Sequence, residues 1–215
     1  MKINADFTQR VVVHAAETDW IPSPMPGVDR KMLDRIGAEV ARATSIVRYA
    51  PGSAFSAHTH DGGEEFLVLD GTFVDEHGAF PAGTYVRNPP TTSHTPSAPD
   101  GATILVKLHQ FDTEDRFQTY IDTTGEEQVA LYSDAREEVR IETWAAGQTV
   151  DLDATKGMEV FVISGSAEEG GDTLSEWDWL RLPVGGSSLA KAGPEGARVW
   201  IKSGHLEHVA FDQDR

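Results

Sequence analysis

The chain has 215 residues, with 18 Lys and Arg against 35 Asp and Glu, a formal net charge of −17, and no cysteine. That charge disfavours nucleic acid phosphates and anionic lipid as partners. The missing thiols exclude a disulfide framework, a thiolate zinc finger, an iron–sulfur cluster and a cysteine nucleophile.

No stretch approaches the roughly 20 apolar residues of a membrane-spanning helix, and residues 1–20 hold no apolar signal core. We therefore expect a cytoplasmic protein that binds neither membrane nor nucleic acid. Along the chain, short apolar runs rich in β-branched and aromatic residues alternate with Gly and Pro. Residues 29–43 would tolerate a helix by composition but read as strand. Ala43–Tyr49, Phe66–Leu69, Thr84–Arg87 and Thr103–Leu108 follow as strands. Runs of this length, bounded by turn signals, predict an all-β sandwich or barrel.

Residues 110–138 contain nine acidic residues and two Arg, and read as a solvated connector. A second block of strands then follows at Val139–Trp144, Glu159–Ser164, Asp178–Pro183 and Arg198–Ser203. Its end, Gly-Ala-Arg-Val-Trp-Ile-Lys at 196–202, echoes Gly-Ala-Thr-Ile-Leu-Val-Lys at 101–107. Such a recurrence predicts two copies of one module: residues 1–110, a connector at 111–138, and residues 139–215. The acidity is concentrated in the second half. Residues 1–110 hold 9 basic and 13 acidic residues, and 111–215 hold 9 and 22.

One cluster carries chemistry. On a strand, His58 and His60 point to the same face because side chains alternate. Asp61-Gly62-Gly63 turns the chain, so Glu64 enters the next strand aimed at the same point. His94 closes a turn-rich stretch that begins at Gly83. Three imidazoles and a carboxylate suit one divalent transition metal per chain, Zn or Fe(II) ahead of Mn or Ni, with Cu(I) a poor match. Glu65 points the other way and is expected to pack against the sheet.

These residues resemble the cupins. Gly52, His58, His60, Glu64 and Gly71 satisfy the first cupin motif at every spacing, and Gly83, Pro89 and His94 fit the second. Thr91 and Ala98 stand where that second motif has Gly and Asn. The wording of residues 50–53, 58–71, 73–76 and 83–89 is similar to the ChrR-type cupin domain. The resemblance implies two tandem jelly-roll β-barrels, with His58, His60, Glu64 and His94 as metal ligands of the first. In the second half, Gly147, Asp153, Thr155 and Glu159 take the first-motif spacing, with Gly165 one residue early. Ser188 stands where the second motif has His, so the second module is expected to be degenerate and without metal.

Two functions follow from the resemblance. ChrR-type relatives include cupin dioxygenases that cleave diketones or hydroxyacetophenones at a mononuclear non-haem metal. That implies a small-molecule ligand in the first barrel, lined by Phe55, Phe66 and Val68. The same cupin can instead be the C-terminal half of a zinc-binding anti-sigma factor, which implies a sigma factor as partner. A sigma-binding half has its own His/Cys zinc site, and this chain has no cysteine. A purely structural metal is a third reading, and the second module is a candidate surface for a homodimer. The orientations of Arg48, Tyr85, Lys107 and His109 are left open by the sequence, as is the role of His205 and His208, which read as surface residues.

Overall fold

Strands account for nearly all regular structure in the computed structural model, which describes residues 1–209. No α-helix occurs among the described residues, and so no helix is long and apolar enough to cross a membrane. The principal strands are β1 (Val11–Val13), β2 (Val28–Gly37), β3 (Ala41–Tyr49), β4 (His58–Thr59), β5 (Glu64–Asp75), β6 (Thr84–Asn88), β7 (Ser93–His94), β8 (Ala102–Leu108) and β9 (Thr119–Asp122). They continue with β10 (Gln128–Ser133), β11 (Glu138–Trp144), β12 (Thr149–Ala154), β13 (Met158–Glu169), β14 (Trp179–Leu182) and β15 (Gly186–Ser203). The fold is an all-β cupin-type jelly roll made of two units.

The first unit comprises Met1–Ala5 with Thr18–Thr124, and the second comprises Asp6–Glu17 with Gly125–Arg215. Its main antiparallel sheet in the first unit runs β2-β3-β8-β5-β6-β9, and in the second β10-β11-β15-β13-β14-β1. Both faces of the first sheet are covered, so Phe66-Leu67-Val68 and Thr103–Val106 are buried continuously rather than alternately. One face, with Val47, Phe66, Val68, Ile104 and Val106, forms the barrel interior.

β5 serves two layers. Its first half pairs with β8 and β6, and beyond Gly71 it pairs with Gly78–Pro81 and Ser97 instead. The corner depends on Gly71, at φ +71, because a Cβ there would lie 2.2 Å from the Gly101 carbonyl oxygen. Gly165 stands in the same relation to Gly196 in the second unit, at 2.3 Å.

The segment expected as a connector, 111–138, contributes β9 to the first unit and β10 to the second. Its acidity is partly structural: Asp115 takes two hydrogen bonds from the buried Arg87 guanidinium at 3.0 and 2.6 Å, which also lies over the Phe111 ring. The second unit is covered by the chain's N-terminal arm. β1 pairs with β14, Phe7 lies under the Arg181 guanidinium, and Arg181 donates to the Asp6 carbonyl. Arg10 pairs with Glu169 at 2.6 Å, and His14 Nδ1 lies 2.8 Å from Asp178. β1 therefore does for β14 what β9 does for β6.

Two outcomes test the arm. Phe7 is buried, so Phe7→Ala should destabilise the second unit by about 3 kcal/mol, with faster amide exchange in Trp179–Leu182 than in Thr84–Asn88. The hydrogen bond to Asp178 raises the His14 pKa above its ordinary 6.5. A raised folded-state pKa gives stability that is full below about 6.5 and is lost as pH rises through the folded value. Exchange protection of the arm should fall as pH rises above about 6.5, and His14→Gln should flatten that dependence.

Candidate metal centre

β4 and β7 form a two-stranded ribbon in which His58 stands opposite His94. His60 follows one residue beyond β4, its N–H bonded to the Thr92 carbonyl. Ligand atoms of His58, His60 and His94 all lie within 4.8 Å of one another. The His94 Nε2 is 3.2 Å from His58 Nε2 and 3.3 Å from His60 Nε2. Glu64, at the start of β5, brings Oε1 to 3.5 Å from His60 Nε2 and 3.8 Å from His94 Nε2. The four residues expected as a site are thus brought together.

Hydrogen bonding on the far side of each ring fixes its tautomer. His58 Nδ1 faces the Ser56 carbonyl at 3.2 Å, and His94 Nδ1 faces an Asp75 carboxylate oxygen at 3.1 Å. Both partners only accept, so each Nδ1 carries the proton. The Thr92 hydroxyl donates to the Pro89 carbonyl at 2.7 Å, so it accepts from His60 Nδ1–H at 3.0 Å. All three Nε2 lone pairs then converge with no proton between them. Glu64 Oε1, buried without a hydrogen-bond partner among the described residues, adds a fourth acceptor.

Acceptors crowded at 3.2–3.3 Å repel unless a cation lies among them. Nitrogens about 2.1 Å from a metal stand roughly 3.0–3.4 Å apart in octahedral or tetrahedral arrangements. The donor set therefore fits a divalent transition ion. Burial, aided by the neighbouring imidazoles, pulls the His60 pKa down to about 3 and lowers that of His94. Burial also pushes Glu64 up to about 7, against a hydrogen bond from Asn88. His58 is exposed while His60 and His94 are buried, so access is from the His58 side.

That side opens on a cavity of about 420 Å³ lined by His58, His60 and Glu64, together with Val47, Tyr49, Phe55 and His109. Phe55 lines it as expected, whereas Phe66 and Val68 lie in the core below. His109 also faces it, with φ +56, and it packs so closely on Gly62 that a Cβ there would meet its Nδ1 at 2.2 Å. Arg48 points outward, onto Asp29 and the Trp20 ring. Tyr85 and Lys107 lie on the sheet's other face, Tyr85 donating to Glu65 at 2.6 Å and Lys107 to Thr44 at 2.8 Å.

Residues 8–112 match the family model described as the ChrR cupin-like domain. No curated protein matches the chain by sequence. By structure, the chain is similar to a dioxygenase, itself described as putative, from Nostoc punctiforme, with a TM-score of 0.74 at 12% identity over 94% of this chain and 85% of that one. It is similar to the bacterial pirin YhhW from Escherichia coli, solved with nickel(II), with a TM-score of 0.71 at 14% identity over 90% and 98% of the two chains. A cupin 2 conserved barrel domain protein from Leptotrichia buccalis aligns with a TM-score of 0.57 at 12% identity over 85% and 91%. The chain has the cupin fold.

Within this cupin the second unit repeats the first in register. Glu65 lies opposite Arg87 and Lys107, and Glu159 lies opposite Arg181 and Lys202. Glu159 is therefore the counterpart of Glu65, not of Glu64 as the motif spacing suggested, and Gly165 is not early. Leu152 pairs with Ser188 as His58 pairs with His94. The positions of His58, His60 and Glu64 are taken by Leu152, Ala154 and Met158, all buried in one apolar cluster. Asp153 and Thr155 are exposed and bond to each other. His205, expected at the surface, is buried with Nε2 2.8 Å from Glu159 Oε1, while His208 is exposed.

Thr91, standing where the motif has Gly, adopts φ +79, a region costly for a β-branched residue. Thr91→Gly should stabilise the cupin by about 1 kcal/mol in thermal or urea unfolding, with metal content unchanged.

Proposed function

We propose that His58, His60 and His94, with Glu64, hold one divalent transition metal per chain, Fe(II) or Zn ahead of Mn or Ni. On this reading the cupin is a mononuclear non-haem metal dioxygenase acting on a small diketone or aromatic ketone. The observation that carries it is the convergence, beside the cavity, of the three Nε2 atoms and of Glu64 Oε1, which has no hydrogen-bond partner among the described residues. Likeness in fold to the dioxygenase from Nostoc punctiforme and to nickel-bound YhhW supports it.

The bound metal would supply Lewis acidity and open positions for a chelating enolate and O₂. The chain's own residues do the rest. Asp75, Thr92 and the Ser56 carbonyl hold the imidazoles in one tautomer. Such outer partners commonly matter 10–100-fold for metal affinity. Tyr49 and Phe55, edge to face at 5.4 Å, give the cavity an aromatic wall. Glu64, protonated below about pH 7 without metal, is placed to accept a proton from a weak carbon acid or to complete the metal's shell.

The match of residues 8–112 to the ChrR cupin-like domain favours a second reading, in which the same site is sensory and biases a sigma-factor surface. O₂ uptake by Fe(II)-loaded protein with β-diketones and hydroxyacetophenones, beside co-purification with an extracytoplasmic-function sigma factor, separates the two. Uptake with a diketone supports the enzyme, and capture of the sigma factor without uptake replaces it. Elemental analysis should give one metal per chain, and none for His58→Ala or His94→Ala. Metal addition to metal-free protein should release more protons at pH 6 than at pH 8.5, and Glu64→Gln should cut the release at pH 6 by close to one proton in calorimetry across buffers of different ionisation enthalpy.

A further inference from the structure

The cavity beside the histidines has a second polar feature. Arg30 lies on β2, where Asp29 and Lys31 face outward onto Arg48 and Trp20. Alternation turns Arg30 inward with Val28, and both line the cavity. The Arg30 side chain is only 16% exposed, and its Nε is buried with no hydrogen-bond partner among the described residues. Its nearest carboxylate, Glu39, is 3.7 Å away and 68% exposed, a contact that water screens. Arg35 lines the same wall, its guanidinium occupied by the Ala38 and Glu39 carbonyls. Burial and the charge of Arg30 lower its pKa.

Two guanidiniums thus share one wall of a cavity whose other lining includes Met25, Val28, Val47 and Leu108. A largely buried guanidinium whose one ion pair is long and screened by water is poorly compensated, and an anion entering the cavity would offset that with a bidentate, charge-assisted pair.

We propose that Arg30 is the anion-recognising residue of this cavity, and that the substrate is a small carboxylic acid whose other end carries the oxygens that chelate the metal. This rests on the metal-site reading above and narrows its substrate class. A neutral diketone would leave Arg30 with only its long contact to Glu39; a dioxo acid would offer it a carboxylate as well as offering chelating oxygens to the metal. Arg30 is a binding residue and takes no part in bond making.

The test compares 2,4-dioxopentanoate with its methyl ester, which keeps the diketone and removes the charge. Binding is measured by calorimetry on metal-loaded protein, with metal content determined in the same samples. Wild type should bind the acid at least tenfold more tightly than the ester. Arg30→Met should bind the two equally at unchanged metal content, and Arg30→Lys should keep part of the preference. Arg30→Met should also melt no lower than wild type without ligand, since it removes an unmatched charge; a lower melting temperature with retained preference would assign Arg30 a structural role. Equal binding of acid and ester by wild type, or a preference surviving in Arg30→Met, overturns the proposal. The metal-free protein separates the two readings. If it takes up no metal but still binds the acid in an Arg30-dependent way, the metal site fails and the anion site stands. If metal binds and the preference is absent, the reverse holds.

Discussion

Each histidine of the metal centre gives away its Nδ1 proton outward, and the site depends on those three bonds. Ser56 and Asp75 only accept, and Thr92 is forced to accept because its own proton goes to Pro89. A neutral imidazole has one proton, so anchoring it outward leaves a lone pair inward. Three inward lone pairs and a buried carboxylate oxygen then form a cluster that only a cation satisfies. The barrel's role is to hold those outer partners still. Asp75 ends β5, Thr92 immediately precedes β7 and Ser56 lies two residues before β4, so each outer partner is tied to a strand end.

The two units show how little separates a metal-binding barrel from a filled one. Both keep the buried Glu, Arg and Lys of the sheet's outer face, with an aromatic donor onto the Glu: Tyr85 onto Glu65, Trp179 onto Glu159. Both keep the glycine corner. They differ inside, where Leu152, Ala154 and Met158 replace His58, His60 and Glu64 and extend the apolar core. A buried polar cluster needs every partner in place, and a chain that loses the metal gains by filling the space with hydrocarbon.

Much of the first unit was legible in sequence because strand alternation and a glycine turn leave little freedom: His58, His60, Glu64 and His94 meet where their spacing put them. Counting alone failed in the second unit, where Leu152 follows Gly147 by one residue fewer than His58 follows Gly52, which shifted the alignment onto Asp153, Thr155 and Glu159. The pairing of Glu159 with Lys202, foreshadowed by the echo between 101–107 and 196–202, corrects it. Arg30 carried no signal, because its neighbours Asp29 and Lys31 are equally charged and only the pairing of β2 with β3 says which faces inward. Nor did 110–138 advertise its strands, since its acidic residues serve edges and an ion pair to Arg87.

The arm that covers the second unit has a consequence for the order of assembly. Arg10 meets Glu169 across a sequence separation of 159 residues. At ribosomal rates of about 5–20 residues per second, the arm waits roughly 10–30 s for its partner strand to be made. Throughout that time Val11, Val12 and Val13 form a short sticky strand with nothing to pair with, while the first barrel can already close. Pairing of Val11–Val13 with residues 179–181 is thus among the last long-range contacts that synthesis allows, and the polar residues Gln9, Arg10 and His14 flank that strand.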